Sequence, residues 1–510
     1  MCAAAARAEE DSPRPAEART SVFAADLAIL AVALAALFIG LGRRAPTRIQ
    51  ELRVLETARE MRESGDFLVP RFLGEERFHK PPLAYWLALA GYALAGGPGE
   101  GAGRLYSALS AAVTALLLFG FGRAAGSSRQ GIFAAIVFLT SALAARGARR
   151  AETDCLLALW TTAAVLAFAR ALDPPTGRGH GASAPRARRT LWVLAGWASA
   201  ALGFLAKGPA GLAYPLSAIA LYLAASRRWR DLGRLFSPAG IAVFLALAVP
   251  WFAAVILRES RSLDVFLSEV GAATAGGGHR KGLLYGLAYY FVHVWGEFAP
   301  WSPLLIPAAI GLARGRWREG RSPLVLAWAA GILGILHAIG QKQPHYLLPA
   351  LPPLALLVAA WIDGGEPWTT RVPRAWRASG LRTAALLAAG VSLAWACGLF
   401  GAEDDRVRAF AAEAREIVGA AEGTPIYAAG DERPALSFHL RRVVRPLDGR
   451  AALDALLARG ETFLAILRAP GVGAPATWDP ASDPRFRLLL EAPKGPRALR
   501  LYRAEPRAAR

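Results

Sequence analysis

Residues 237–256 read SPAGIAVFLALAVPWFAAVI, with no charged side chain. At about 1.5 Å of rise per residue a helix of this length covers roughly 30 Å, the thickness of a bilayer's hydrocarbon core. Working outward from this segment, runs of the same kind fall at 22–42, 104–122, 131–147, 154–172, 191–206, 209–225, 298–313, 322–338, 346–362 and 382–400. Together they predict about eleven membrane spans. The stretch 82–97 is apolar but short, and it is expected to lie in the membrane interface. The first run lacks a clear cleavage site and is read as a retained span.

Composition agrees. Hydrophobic residues make up 54% of the 510-residue chain, and mean hydropathy is +0.31. A soluble protein of this size would carry fewer apolar residues. The net charge of +20 invites a nucleic-acid reading. The arginines, however, cluster between apolar runs, as membrane proteins place them, so nucleic acid is not expected as a partner. The three cysteines, Cys2, Cys155 and Cys397, form no disulfide framework or metal-ligand spacing.

Charge also orients the spans. With a cytoplasmic tail at 1–21 and 82–97 not crossing, one set of loops collects the basic residues. These are Arg123 and Arg129; Arg178, Arg186, Arg188 and Arg189; Arg227, Arg228, Arg230 and Arg234; Arg314, Arg316, Arg318 and Arg321; and Arg371, Arg374, Arg377 and Arg382. The short connections on the other side hold only Arg146, Arg149, Arg150, Lys207 and Lys342. Positive charge stays cytoplasmic, so this second side is the outer one. A twelfth span at 82–97 would flip every later loop and break the rule.

Two soluble parts are expected on the outer side. The loop 43–103 carries acidic and basic residues, and its segment 49–63 has Glu51, Leu55, Ala58 and Met61 at helical spacing. Residues 401–510 read as a small α/β domain, with helices near 404–419 and 449–459 and strands near 424–428, 462–467 and 498–502. The transmembrane part is then 22–400, and the Pro-, Gly- and Arg-rich 173–190 is a cytoplasmic loop.

The ionisable residues of the outer connections are the functional candidates, since a charge at bilayer depth is costly. Phe78-His79-Lys80-Pro81-Pro82 fixes Lys80 at the start of the interfacial segment, where an ammonium suits a lipid phosphate. Gly276-Gly277-Gly278-His279-Arg280-Lys281 sets adjacent cations on a pliable backbone. Lys342-Gln343-Pro344-His345-Tyr346 opens the span at 346–362. Glu51 and Asp154 are the carboxylates able to take a proton from an acceptor hydroxyl or amine. Each has a bland alternative: Lys80 as an interface anchor, Tyr346 as an aromatic-belt residue, Asp154 as a helix N-cap.

The ordered set of motifs resembles the lipid-linked-sugar glycosyltransferases of the ArnT and protein O-mannosyltransferase type, glycosyltransferase family 39. It comprises Gln50-Glu51-Leu52-Arg53, Ala58-Arg59-Glu60-Met61, Ser64-Gly65-Asp66-Phe67-Leu68-Val69-Pro70, Lys80-Pro81-Pro82-Leu83-Ala84-Tyr85-Trp86, Thr153-Asp154, Lys207-Gly208-Pro209, His279-Arg280, Pro300-Trp301 and Pro344-His345-Tyr346-Leu347-Leu348-Pro349. It runs over about 45–360 and adds little beyond 401.

The resemblance implies an α-helical polytopic membrane protein of GT-C fold with about 11–13 transmembrane helices and a small C-terminal α/β extracytoplasmic domain. It implies transfer of a sugar from a polyprenyl-phosphate carrier to a lipid, glycan or protein acceptor on the outer face of the cytoplasmic membrane. It also implies that Lys80 and Arg280, with His279, Lys342, His345 and Tyr346, line the phosphate and sugar site. Family members occur with and without a divalent metal ion, and both remain open here. The family's acidic motif is Asp-Glu where this chain has Gln50-Glu51. Either Glu51 or Asp154 then supplies the carboxylate, or the chain is a non-catalytic lipid-binding relative. A transporter is disfavoured, because paired inverted repeats and midplane charges are not evident.

Overall fold

The computed structural model describes residues 15–172, 183–274, 283–314, 322–364, 373–396, 405–468, 483–492 and 498–505. The chain divides into two compact units. One comprises Met1–Ile39, Ser107–Arg149 and Thr153–Ala394; the other comprises Gly40–Tyr106, Arg150–Glu152 and Trp395–Arg510.

The first unit is helical. Among the described residues five helices are long and apolar enough to cross a membrane: Glu100–Ala125, Asp154–Leu172, Arg186–Lys207, Pro238–Arg258 and the segment Pro344–Asp363. Shorter apolar helices include Phe23–Phe38, Ser128–Thr140, Ala210–Ala225, Ser302–Gly311 and Ser322–Ala338. The expected run at 382–400 falls on the helix Arg374–Ala396. The chain is therefore a multi-pass membrane protein. In the Pro238–Arg258 helix Leu245, Leu247, Val249 and Leu257 stay exposed, as suits a face against lipid tails.

Two runs differ in detail from their sequence reading. The run 131–147 is not one helix. Ser128–Thr140 stops at Ser141, whose hydroxyl donates to the Phe138 carbonyl at 2.7 Å, and a short helix Ala142–Gly147 follows. The extended backbone at Ser141 frees Ala142 N–H to donate to the Ala299 carbonyl at 2.8 Å, a local hydrogen-bonding alternative to a continuous helix. The run 346–362 opens with a tight 3-10 turn, Pro344–Ala350, before the α-helix Leu351–Asp363, because its closely spaced prolines lack backbone donors. The helices Arg261–Thr274 and Leu283–Glu297 were not anticipated.

Packing within this unit relies on glycine where helices turn back on themselves. The helices Ser183–Lys207 and Ala210–Ala225 meet at Gly203 and Gly211, where a Cβ on Gly203 would lie 3.2 Å from the Gly211 Cα. Small residues permit this close backbone approach. Gly208, at φ +64°, makes the turn itself.

In the second unit the helix Ile49–Ser64 buries Leu55, Ala58 and Met61, as their spacing predicts. Gly65 ends it in the left-handed conformation, with its N–H on the Met61 carbonyl. A two-stranded hairpin, Arg71–Phe72 with Glu75–Glu76, follows, and then the helix Leu83–Leu94. Twelve residues reach only about 18 Å, too short to cross a bilayer, as the sequence reading of 82–97 requires.

The remainder of this unit is a five-stranded sheet in the order Val444–Pro446, Ile426–Ala428, Phe463–Arg468, Leu499–Ala504, Phe486–Ala492. The first three strands are parallel; the last two add antiparallel. Alternation along Phe463–Arg468 divides the core: Leu464 and Ile466 pack with Phe410, Ala414 and Val418, while Phe463 and Ala465 pack with Leu453 and Leu456. The helix Arg406–Ala420 thus covers one face and Gly449–Ala458 the other. The helix Arg433–Leu440 and the strands Val444–Pro446 and Phe486–Ala492 were not read from the sequence.

Candidate active site

In the helical unit the candidate residues meet where three elements end. Asp154 occupies the first turn of the helix Asp154–Leu172, with Thr153 supplying the carbonyl that accepts from Leu157 N–H. The acidic side chain therefore sits at the positive end of its helix without being the residue that caps it. Lys207 is the last residue of the helix Ser183–Lys207, at its negative end. Its Nζ donates to Asp154 Oδ1 at 2.6 Å. The same ammonium lies 4.5 Å from the centroid of the Tyr346 ring, a cation–π contact. His345 meets Tyr346 edge-on at 4.8 Å. Asp154 is 5% exposed, so the carboxylate is nearly withdrawn from water and depends on its cation. Tyr214, Tyr290 and Glu269 also lie within electrostatic reach of this group.

Lys342 takes a different position. Its Nζ donates to the carbonyls of Leu336, His337 and Ile339 at 3.1, 2.9 and 2.9 Å, and it lies 5.6 Å from the Tyr290 ring centroid. An ammonium has three protons, and these bonds engage all of them at the end of the helix Ser322–Ala338.

In the second unit Glu51 is 2% exposed and anchored twice through Oε1, by Arg104 Nε at 2.7 Å and by Ala151 N–H at 3.0 Å. Arg104 also donates from Nη1 to the Leu41 carbonyl at 2.6 Å and the Arg44 carbonyl at 2.8 Å. Gln50, beside Glu51, is exposed. About two helical turns on, buried Arg59 joins Glu56, at 2.6 Å, to Glu63, at 2.5 Å. Burial outweighs the Arg59 partnership and pushes Glu56 up to about 7. Glu60, also raised by burial, accepts from Leu73 N–H at 2.6 Å and Gly74 N–H at 3.0 Å. Those two residues have positive φ, +59° and +81°, and their N–H groups converge on one anion. The carboxylate thus holds the hairpin turn, which leads into Phe78, buried, and Lys80, half-buried.

Of the sequence candidates, the structure brings Asp154, His345 and Tyr346 together through Lys207, and it places Glu51 and Lys80 in the other unit. His279 and Arg280 lie outside the described residues. Among the described residues no three side chains of His, Cys, Asp or Glu gather as metal ligands. Arg104 and Glu269 were absent from the sequence reading. Arg104 is a lone cation at the head of an apolar run, the one local sign of it; Glu269 belongs to a helix that was not drawn.

Residues 79–253 match the family of dolichyl-phosphate-mannose-protein mannosyltransferases. The chain is 31% identical, over 316 residues, to the undecaprenyl phosphate-alpha-4-amino-4-deoxy-L-arabinose arabinosyl transferase of Edwardsiella ictaluri. It is 33% identical, over 325 residues, to that of Pectobacterium carotovorum. These alignments cover 61% and 62% of this chain and 55% of each relative, so the chain spans about half the length of the curated relatives it matches. Its fold matches ArnT from Cupriavidus metallidurans bound to undecaprenyl phosphate with a TM-score of 0.73 at 21% identity, covering 93% of this chain and 97% of that one. The archaeal oligosaccharyltransferase AglB from Archaeoglobus fulgidus matches more distantly, with a TM-score of 0.52 at 12% identity over 87% of this chain and 69% of that one. The chain thus has the fold of the Cupriavidus metallidurans ArnT structure. The family match covers Lys80, Asp154 and Lys207, whereas Glu51 and Tyr346 lie outside its bounds.

Proposed function

We propose that this protein is a membrane glycosyltransferase that moves a sugar from a polyprenyl-phosphate carrier to a lipid, glycan or protein acceptor on the extracytoplasmic face. The observation that carries the proposal is the Asp154–Lys207–Tyr346 cluster, whose two charged residues fall inside the stretch matched to lipid-phosphate-dependent sugar transferases. The names of the relatives, which specify an undecaprenyl-phosphate donor and an aminoarabinosyl group, support it. The asymmetric arginine distribution supports the choice of face.

In the transfer, the acceptor's nucleophilic atom attacks the anomeric carbon as the bond from that carbon to the lipid phosphate oxygen breaks. The phosphate departs with the bonding electrons, and the acceptor proton passes to a carboxylate. Asp154 is the carboxylate we assign, because Glu51 Oε1 is engaged by both Arg104 and the Ala151 N–H. Lys80 and Arg280 are assigned to the departing phosphate, where positive charge stabilises the negative charge that develops. Purified protein in nanodiscs with a labelled polyprenyl-phosphate sugar tests this. Wild type is expected to transfer, Asp154→Asn to bind donor without transferring, and Lys80→Ala to bind donor weakly. Full transfer by Asp154→Asn removes its assignment.

Gln50, where the resembled family's acidic motif has an aspartate, favours a second reading: a lipid-binding protein without transferase activity. Wild type that binds undecaprenyl phosphate yet transfers from no donor supports this alternative.

A further inference from the structure

We propose that Lys207 is a positioning residue for the transfer: it orients the Asp154 carboxylate against Tyr346 and does not itself bind the lipid phosphate. The inference rests on the functional reading above. Its starting point is local backbone. The tight approach at Gly203 and Gly211 and the left-handed Gly208 hold the helix hairpin, which presents Lys207 at its tip. Pro209 follows and fixes the entry to the next helix. The Gly208 N–H donates to the Phe204 carbonyl at 2.7 Å, so the turn that carries Lys207 is hydrogen-bonded into its own helix.

From that tip the ammonium meets two partners on two other elements. One is Asp154 Oδ1 at 2.6 Å; the other is the face of Tyr346 at 4.5 Å. A simple staple between adjacent helices needs only the first contact, since Asp154 and Lys207 already complement the ends of their helices. The second contact ties the pair to the Pro344–Ala350 turn, which packs on the Asp154–Leu172 helix. Three elements thus converge on one charge.

The consequence for Asp154 is geometric. A carboxylate clamped at Oδ1 has lost most of its freedom to rotate, so it meets an acceptor in one orientation. A proton acceptor gains rate from such pre-set geometry. Lys207, with its charge directed at Asp154 and the Tyr346 ring, is poorly placed to neutralise a phosphate. This separates it from Lys80, assigned above to the phosphate. The Lys207 side chain is 14% exposed, so the pair is not fully sealed.

The test compares Lys207→Gln, Lys207→Arg, Asp154→Asn and the double variant Lys207→Gln/Asp154→Asn in nanodiscs. Lys207→Gln is expected to lower kcat by about a hundredfold, the lower end for loss of an oriented acid–base group, with donor KM changed by less than about threefold. Lys207→Arg, which keeps a cation able to pair, is expected to recover at least about tenfold of that loss. The double variant should be no slower than Asp154→Asn alone, because the two residues act as one unit.

Undecaprenyl phosphate alone, titrated by tryptophan fluorescence, should bind Lys207→Gln as it binds wild type. Wild-type kcat in Lys207→Gln overturns the proposal. So does a tenfold weaker hold on undecaprenyl phosphate with kcat preserved, which would make Lys207 a phosphate ligand. Equal inactivity of the Gln and Arg variants, both folded by thermal melting, overturns it as well. If Lys207→Gln does not fold, the double variant, which removes both charges, and Lys207→Arg carry the comparison. A wild type that transfers from no polyprenyl donor defeats the functional reading instead; an active wild type with an active Lys207→Gln defeats this proposal alone.

Discussion

Glu51 with Arg104 in one unit and Asp154 with Lys207 in the other are both buried carboxylates held by a cation, and the two pairs are built differently. Arg104 spends its guanidinium on Glu51 and on the carbonyls of Leu41 and Arg44, while Glu51 also accepts from the Ala151 backbone. Beyond their own contact, both side chains fasten backbone. Lys207 joins Asp154 to an aromatic ring at the ends of helices, and both charged groups are side chains meeting side chains. The first pattern is that of a lock on the chain; the second is that of a group kept in place for use. A buried ion pair by itself says little about stability or function. What distinguishes these two is where the remaining hydrogen bonds go.

The largest expected effect breaks the lock. Arg104→Ala leaves Glu51 buried without its cation and abandons two carbonyls, and it should cost about 3–5 kcal/mol. Denaturant unfolding in detergent, followed by tryptophan fluorescence, measures it. Asp154→Asn should instead leave the unfolding midpoint within about 1 kcal/mol, since the amide oxygen still accepts from Lys207, and should reduce transfer by about a hundredfold or more. If Arg104→Ala folds as well as wild type while Asp154→Asn unfolds, the roles of the two pairs are reversed.

The next effect is on the hairpin turn. Glu60→Ala removes the acceptor shared by the Leu73 and Gly74 N–H groups. Bonds to a charged group contribute about 1.5–3 kcal/mol, so a loss in that range is expected, along with a higher donor KM if the turn sets Lys80. Hydrogen exchange at Leu73 and Gly74 reports whether the turn has opened; unchanged protection would show that Glu60 is dispensable there.

Much of this contrast was invisible in the sequence, for identifiable reasons. Hydrophobic runs marked the helices because length and apolarity suffice for that. The amphipathic spacing of Leu55, Ala58 and Met61 likewise marked the helix Ile49–Ser64. The break at Ser141 did not show, since it depends on a hydrogen bond to Ala299 far along the chain. The short strands Val444–Pro446 and Phe486–Ala492 were missed because the first is only three residues long and the second carries charged Arg487 and Glu491. At the site, Asp154 and Tyr346 could be named from motifs. Their meeting through Lys207 could not, because a residue's partner across 53 positions leaves no local trace. Lys342 shows the converse: the motif made it a ligand candidate, whereas its position after a helix end gives it three carbonyls to cap.

The smallest effect concerns pH and tests whether the second unit's acidic helix is only structural. Burial raises Glu56 from an ordinary 4.5 to about 7. The folded protein therefore favours the protonated acid, and its contribution to stability is fully present below about pH 4.5. That contribution is lost as pH rises through about 7, because the unfolded chain ionises freely while the folded one must bury a charge. One proton sets a ceiling of about 1.4 kcal/mol per pH unit on the slope. Unfolding midpoints measured from pH 4.5 to 7.5 should show this decline in wild type and a flatter course in Glu56→Gln, which cannot ionise at that position. Arg59 offers a check on the same helix, since Glu63 also holds it: Glu63→Gln should leave the slope in place, because the exposed partner does not supply the burial that raises Glu56. A wild-type profile flat across that window would mean that Glu56 is ionised in the fold and that the Arg59 pairing outweighs its burial.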